Sequence, residues 1–183
     1  MSNVVILNFS GKENGNCSCI ADYISEKYTR TNVRNIRIAD YFSPCGRCEY
    51  ECLQQGAICP RIGDDHRTIM ESICTCDVAY YLIPNYCGLP CANYYAFNER
   101  IVGWFNGDRK KMQCYLGAKK KFIFISNTEN EAFRQVTKQH ATKDAEILYL
   151  ASRKYSKNSI AGDLLQSNEA KSDLDCFLSS DAI

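Results

Sequence analysis

Charge of one sign is the first thing this chain lacks. Its 22 lysines and arginines against 21 aspartates and glutamates leave a net charge of +1. No whole-molecule field therefore points to nucleic acid or to an anionic membrane. Long apolar runs are missing as well. The opening "VVIL" (4–7) is far shorter than the roughly 7–15 apolar residues of a secretory signal. Nothing approaches the ~20 apolar residues of a membrane span, and the expectation is a cytoplasmic protein. Histidine is scarce, at two residues. His66 and His140 both fall in expected helices, as surface or helix-face residues, so no Ser/His/Asp or Cys/His constellation can be assembled. The motif G-x-G-x-x-G does not occur, and Gly15 is followed by Asn16 and Cys17. These absences exclude a dinucleotide fingerprint and a Walker loop. No internal repeat or interdomain linker interrupts the 183 residues, a length that suits one domain.

What is present is an alternation of strand and helix patterns. Residues 4–9 form a continuous apolar run, expected as a buried strand. From 16 to about 28, Ile20, Ala21, Ile24 and Tyr28 fall at helical spacing. Residues 33–40 alternate in polarity and suit a strand at a sheet edge. Asp64 or Asp65 can cap a helix whose Ile69, Met70 and Ile73 share a face. A third strand spans 77–84, and Pro90 suits the first turn of a helix over about 91–105. The fourth strand is 120–126. Thr128 and Glu131 then have capping-box spacing for a helix carrying Phe133 and Val136. Residues 146–151 are a fifth strand, and 163–178 a last helix. The basic runs "DRKK" (108–111) and "AKKK" (118–121) read as a solvated turn and strand entry.

Five strands, each followed by a helix or a long loop, imply an α/β fold. It is a doubly wound five-stranded parallel sheet with helices on both faces. The polar second strand fits an edge, so the expected order is 2-1-3-4-5, with ligands beyond the strands' carboxyl ends. Loops 10–16, 84–90 and 126–130 converge there.

The first of these loops is "NFSGKENGNCS" (8–18), which leaves a strand and enters a helix. Its small polar groups and backbone N–H donors at a helix N-terminus suit a monophosphate held without metal. The exit of the third strand, "PNYCGLPCAN" (84–93), places an aromatic face and a glycine where a planar ring could lie. Together the two loops match a phosphate on a linker with a flat heteroaromatic head.

These stretches, with "DD" at 64–65, resemble the flavodoxin-like NAD(P)H-dependent FMN reductases, including the iron–sulfur flavoproteins. The resemblance implies FMN as cofactor and NAD(P)H as electron donor, with a flavin, quinone or similar small-molecule acceptor. It implies that Ser10, Lys12, Asn14, Asn16, Cys17 and Ser18 hold the phosphate. Pro84, Asn85, Tyr86, Cys87 and Gly88 would line the isoalloxazine, with Ser126, Asn127 and Thr128 as a third contact. Two readings compete with the enzyme. One is a flavodoxin-type electron carrier or iron–sulfur flavoprotein without NAD(P)H turnover, and the other is a cysteine-liganded sensor module.

Sulfur is the compositional excess, at 12 cysteines. Without an export signal they argue against a disulfide scaffold. A cysteine-rich insert at about 43–63 carries Cys45, Cys48, Cys52 and Cys59. Such thiols could hold a [4Fe–4S] cluster or zinc, or no metal at all. The resemblance places a four-cysteine cluster here, although the gap between Cys48 and Cys52 is three residues, Glu49 to Glu51. Finally, Tyr94, Tyr95, Phe97, Trp104 and Phe105 are more aromatic surface than one helix face can bury. They point to a homodimer or homotetramer, in keeping with what the resemblance implies.

Overall fold

The most apolar strands take the middle of the sheet, where both faces are covered. In a computed structural model of the chain, the described residues are 3–29, 31–40, 43–46, 48–54, 58–61, 63–128, 131, 134–135, 138 and 145–179. Strand β1 is Asn3–Asn8, β2 Asn32–Arg37, β3 Val78–Tyr86, β5 Lys120–Ser126 and β6 Glu146–Ala151. They are parallel neighbours in the order β2-β1-β3-β5-β6. The five long strands thus have the expected flavodoxin-like order. A further short strand, β4 (Leu89–Pro90), folds back antiparallel on β3.

Strand period two divides the core between the faces. On one face Val5, Leu7 and Phe9 meet helices α2 (His66–Thr75), α3 (Ala92–Glu99), α4 (Ile101–Phe105) and α5 (Arg109–Gly117). On the other, Val4 and Ile6 meet α1 (Asn16–Lys27) and α6 (Asn168–Ser179). Phe9 anchors the first face. It is fully buried, stacks 5.8 Å from Tyr81, and meets the edges of Tyr94 and Phe97 at 5.4 and 5.6 Å. Each such buried ring contributes roughly 1.5–3 kcal/mol by leaving water.

Several expectations are corrected. The helix expected over 91–105 is two helices meeting at Arg100. The break turns Tyr94, Phe97 and Trp104 all inward, so the surplus aromatic surface read as an interface is largely core. The run "DRKK" is no turn but the start of α5, whose Asp108 accepts from the backbone N–H of Lys110 (2.9 Å) and Lys111 (3.3 Å). Nor is "AKKK" solvated: Lys120 and Lys121 are buried. The Lys120 ammonium donates to the carbonyls of Tyr115 and Ala118. Lys121 donates to Phe177 O (2.5 Å) and pairs with Glu146 (3.2 Å). Both amines replace water with carbonyls, which is what makes buried lysine tolerable. His66 lies on the buried side of α2, its Nε2–H donating to Phe97 O at 3.1 Å. Residues 131, 134, 135 and 138 are helical, whereas Phe133, Val136 and His140 lie outside the described residues.

Candidate functional site

The first loop is shaped by Asn8, the last residue of β1. Its side-chain carbonyl accepts from Ser10 N (2.9 Å), and Ser10 Oγ in turn accepts from Lys12 N (3.1 Å). These side-chain turns lead the chain through Gly15, which is extended, into α1. No side chain caps α1. The amide donors of its first turn therefore remain available to an anion, reinforced by the helix dipole.

This uncapped end faces a cavity of about 250 Å³ at the strands' carboxyl ends. From the first loop it is lined by Ser10, Lys12, Gly15, Asn16 and Cys17, and from β3 and its hairpin by Pro84, Asn85, Tyr86 and Cys87. Ile125 and Asn127 follow from β5 and its exit, and Ser159 and Ile160 complete the wall. Nine of the expected cofactor residues thus share one cavity: Ser10, Lys12, Asn16, Cys17, Pro84, Asn85, Tyr86, Cys87 and Asn127.

Asn14, Ser18, Gly88, Ser126 and Thr128 do not line it. Ser18 Oγ accepts from Asn8 Nδ2 (3.2 Å) and donates to Lys12 O (3.3 Å), bracing the loop from behind. Ser126 is buried, its hydroxyl donating to Thr128 O at 2.9 Å. Gly88 sits in a two-residue hairpin with Cys87, at φ of 80° and 54°. Two successive positive φ values make a type I′ turn. Its N–H donates to Asn85 Oδ1 (2.9 Å), so that donor is spent within the turn. Tyr86, 52% exposed, leaves a ring face open beside the cavity.

Two of the lining side chains act differently from the expectation. Asn16 is buried, and its amide is committed to the loop at 158–164. It donates to Ser159 O (2.8 Å) and Asn158 O (3.3 Å) and accepts from Leu164 N (2.9 Å). Its side chain therefore builds the fourth wall, and only its backbone N–H can serve a ligand. Burial pushes the Cys17 thiol far up, with Cys91 adding in the same direction, so it stays a neutral thiol. Lys12, the one cation among the described residues lining the cavity, donates to Ile160 O.

The 158–162 segment was missed from the sequence. Asn127 Oδ1 accepts from Ser159 N (3.0 Å). Gly162, at φ +77°, brings the chain so near that a Cβ there would stand 2.7 Å from Asn14 O. The glycine at 162 was the one available signal, since a left-handed residue in close approach requires it. Asn8 was signalled only by an amide at a strand end, where Asx turns form.

The insert is organised around Arg100. Its guanidinium is buried and donates to Ser43 O (3.1 Å), to Arg61 O (2.9 Å) and to both oxygens of Asp64. Cys45, Cys48 and Cys52 line an open cavity of about 430 Å³ with Tyr50 and Val102. Cys52 and Cys59 pack on Gly103. Burial pushes the Cys45 and Cys52 thiols up, and the neighbouring thiols add to it. Among the described residues, no group of three or more His, Cys, Asp or Glu stands close enough to hold a metal ion. The metal set Cys45, Cys48, Cys52 and Cys59 is therefore not assembled, and a [4Fe–4S] cluster gains no support. Within the three-residue gap Tyr50 turns left-handed (φ 57°), and Glu51–Leu53 form a separate 3-10 turn.

No family model matches the chain, and no curated protein matches its sequence. Solved structures do. The Trp repressor binding protein from Bacillus subtilis superposes with a TM-score of 0.64 at 13% identity, covering 98% of this chain and 99% of that one. An FMN-dependent NADH-azoreductase from Bacillus anthracis, solved with FMN, gives 0.62 at 11%, covering 96% and 97%. The flavoenzyme NAD(P)H:(acceptor) oxidoreductase FerB from Paracoccus denitrificans gives 0.58 at 10%, covering 98% and 96%. At these identities the likeness establishes a flavodoxin-like fold. No described helix is long and apolar enough to cross a membrane.

Proposed function

We propose that the chain is an FMN-binding oxidoreductase that takes hydride from NAD(P)H and passes electrons to a flavin, a quinone or a similar small acceptor. One observation carries this reading: the uncapped N-terminus of α1 opens, beside Ser10 and Lys12, into a cavity walled by the β3 hairpin. The donor set fits a phosphate monoester. It offers unspent helix amides, the Ser10 and Ser159 hydroxyls and the Lys12 ammonium, with no carboxylate among the described lining residues. Pro84, Asn85, Tyr86 and Cys87 would lie along a flat ring, with Tyr86 offering a stacking face. FMN, when bound, supplies the hydride chemistry. The chain's own part is to orient it. The first loop grips the phosphate end, Asn127 and Ser159 close the side, and the hairpin holds the ring with one face open to a nicotinamide. The structural neighbours named for FMN and NAD(P)H chemistry are consistent with this reading.

Association into a homodimer or homotetramer belongs to the same proposal. It would use the apolar groups left outside the core, among them Val102, Met112 and Leu116, rather than the buried aromatics.

Quenching of FMN fluorescence on titration with the protein, followed by NADH and NADPH oxidation with a quinone, tests the assignment. Saturable quenching at micromolar FMN with turnover is expected. FMN binding without turnover would reduce the protein to an electron carrier, and no binding at high micromolar FMN would overturn the reading.

A further inference from the structure

The amino-terminal edge of the sheet, opposite the cavity, carries a second concentration of reactive side chains. Cys74 and Cys76 stand at the end of α2, just before β3. Cys114 is on α5, and Lys120 opens β5 beside Ala79 of β3. Helices α2 and α5 pack against each other. The Cys114 thiol donates to the carbonyl oxygen of Cys74 at 3.4 Å, which sets its sulfur next to the Cys74 side chain. Cys76 faces away from this contact, its thiol donating to Ile73 O at 3.2 Å on its own helix. All three are free thiols; Cys114 is exposed and Cys74 half-buried.

We propose that Cys74 and Cys114 form a reversible disulfide on exposure to a hydroperoxide, covalently joining α2 to α5. Exposure decides which sulfur reacts first. Cys114 attacks the peroxide O–O bond as its thiolate; the sulfur takes one oxygen as sulfenic acid, and the other leaves as water or alcohol. Cys74 then attacks the sulfenic sulfur. The S–S bond forms as the S–O bond breaks, and the hydroxyl departs with the Cys74 proton as a second molecule of water. Two thiols are oxidised by two electrons, and one hydroperoxide is reduced.

The surroundings assign the roles. Burial pushes the Cys74 thiol up to about 12, and the neighbouring Cys114 thiol adds to that. This makes Cys74 a poor first nucleophile and a suitable second one, since it is already in contact. The buried Lys120 ammonium, fixed to the carbonyls of Tyr115 and Ala118, is the neighbouring cation. Its charge favours the thiolate of Cys74 as that attack develops. A disulfide needs its two Cα atoms about 4.4–6.8 Å apart, a separation that packed helix faces can supply where one thiol already reaches the other residue's backbone. In a reducing cytosol such a bond is transient, as redox-sensing pairs are.

The test uses the folded full-length chain, with and without FMN, because the pair lies at the opposite edge from the cavity and does not depend on the flavin reading. The protein is treated with hydrogen peroxide, alkylated, and digested with trypsin without reduction. Cleavage after Arg67, Arg100, Lys111 and Lys119 puts Cys74 in peptide 68–100 and Cys114 in 112–119. A cross-link between these two peptides is expected, reversed by dithiothreitol, absent from Cys74→Ser and Cys114→Ser, and retained in Cys76→Ser. Cys114 is exposed, so C114S tests the pair without perturbing the core. Sulfinic acid on Cys114 without a cross-link would overturn the proposal. So would a cross-link that survives C74S but is lost in C76S.

Discussion

Two loop regions of this protein are each held by one buried polar side chain, and they are held by opposite means. The 158–164 segment hangs on Asn16, a neutral amide that satisfies two carbonyls and one N–H. The cysteine-rich insert hangs on Arg100, a cation that satisfies two carbonyls and the Asp64 carboxylate. The neutral clamp uses no charge. Among the described residues lining the cavity, no carboxylate matches the positive ends of the α1 peptide dipoles and the Lys12 ammonium. The charged clamp is matched by its own partner, the Asp64 carboxylate. A site for an anion therefore belongs with the amide, and structural closure belongs with the ion pair.

The largest effect should come from breaking the charged clamp. Arg100→Ala leaves two carbonyls without their donor and Asp64 with the His66 N–H but no counter-ion, and removing one partner of a buried pair costs about 3–5 kcal/mol. Asp64 is partly exposed, which puts the expectation at the lower end, ~3 kcal/mol. Urea denaturation would measure it. A loss below ~1 kcal/mol, within the range of a surface pair, would show that the insert is not held by Arg100.

A second effect sharpens the contrast through pH. Burial lowers the His66 imidazole to about 4 from its ordinary 6.5, and the Phe97 carbonyl holds the neutral tautomer with its proton on Nε2. Between these values the unfolded chain binds a proton that the folded chain refuses. Stability is therefore fully present above pH 6.5 and falls as pH drops through 4, by roughly 3 kcal/mol in all. Denaturant midpoints at pH 7, 5.5 and 4.5 should fall for the native chain and flatten in His66→Gln. An equal slope in both would place the acid sensitivity elsewhere.

The sequence announces the scaffold because a buried parallel strand has no polar alternative. "VVIL", "VAYYLI" and "FIFI" can only be interior, and the polar 33–37 stretch can only be an edge. The first loop was legible for a similar reason: it is local, made by residues within ten positions of one another. What stayed hidden depends on partners far along the chain. Asn16 meets residues more than 140 positions away, so its role as a clamp leaves no local trace. Lys120 and Lys121 read as solvated because lysine is seldom buried, and nothing nearby in sequence reveals the Phe177 carbonyl. Helix α5 was obscured by its own cations, although Asp108 was a capping signal in plain view. The thiols misled in the other direction, since compact spacing suggests ligation while the described residues hold no group of three or more ligating side chains placed for a metal ion.

The smallest expected change in stability tests the neutral clamp, and it is the most discriminating. Asn16→Ala strands the buried Leu164 N–H while the carbonyls of Asn158 and Ser159 can turn to water, a loss of about 1–3 kcal/mol. Asn16→Asp keeps an acceptor for Leu164 but sets a carboxylate against those two carbonyls and at the mouth of the α1 dipole. If the amide matters only as a fastening, the two variants should weaken FMN binding equally. If its neutrality preserves the field for a phosphate, the aspartate should weaken binding at least tenfold more than the alanine, a difference of about 1.4 kcal/mol. That excess should shrink as salt is raised, because screening acts on the added charge and not on the lost hydrogen bonds. Equal affinities for the two variants at low salt would remove the electrostatic half of the comparison and leave Asn16 as a fastening alone.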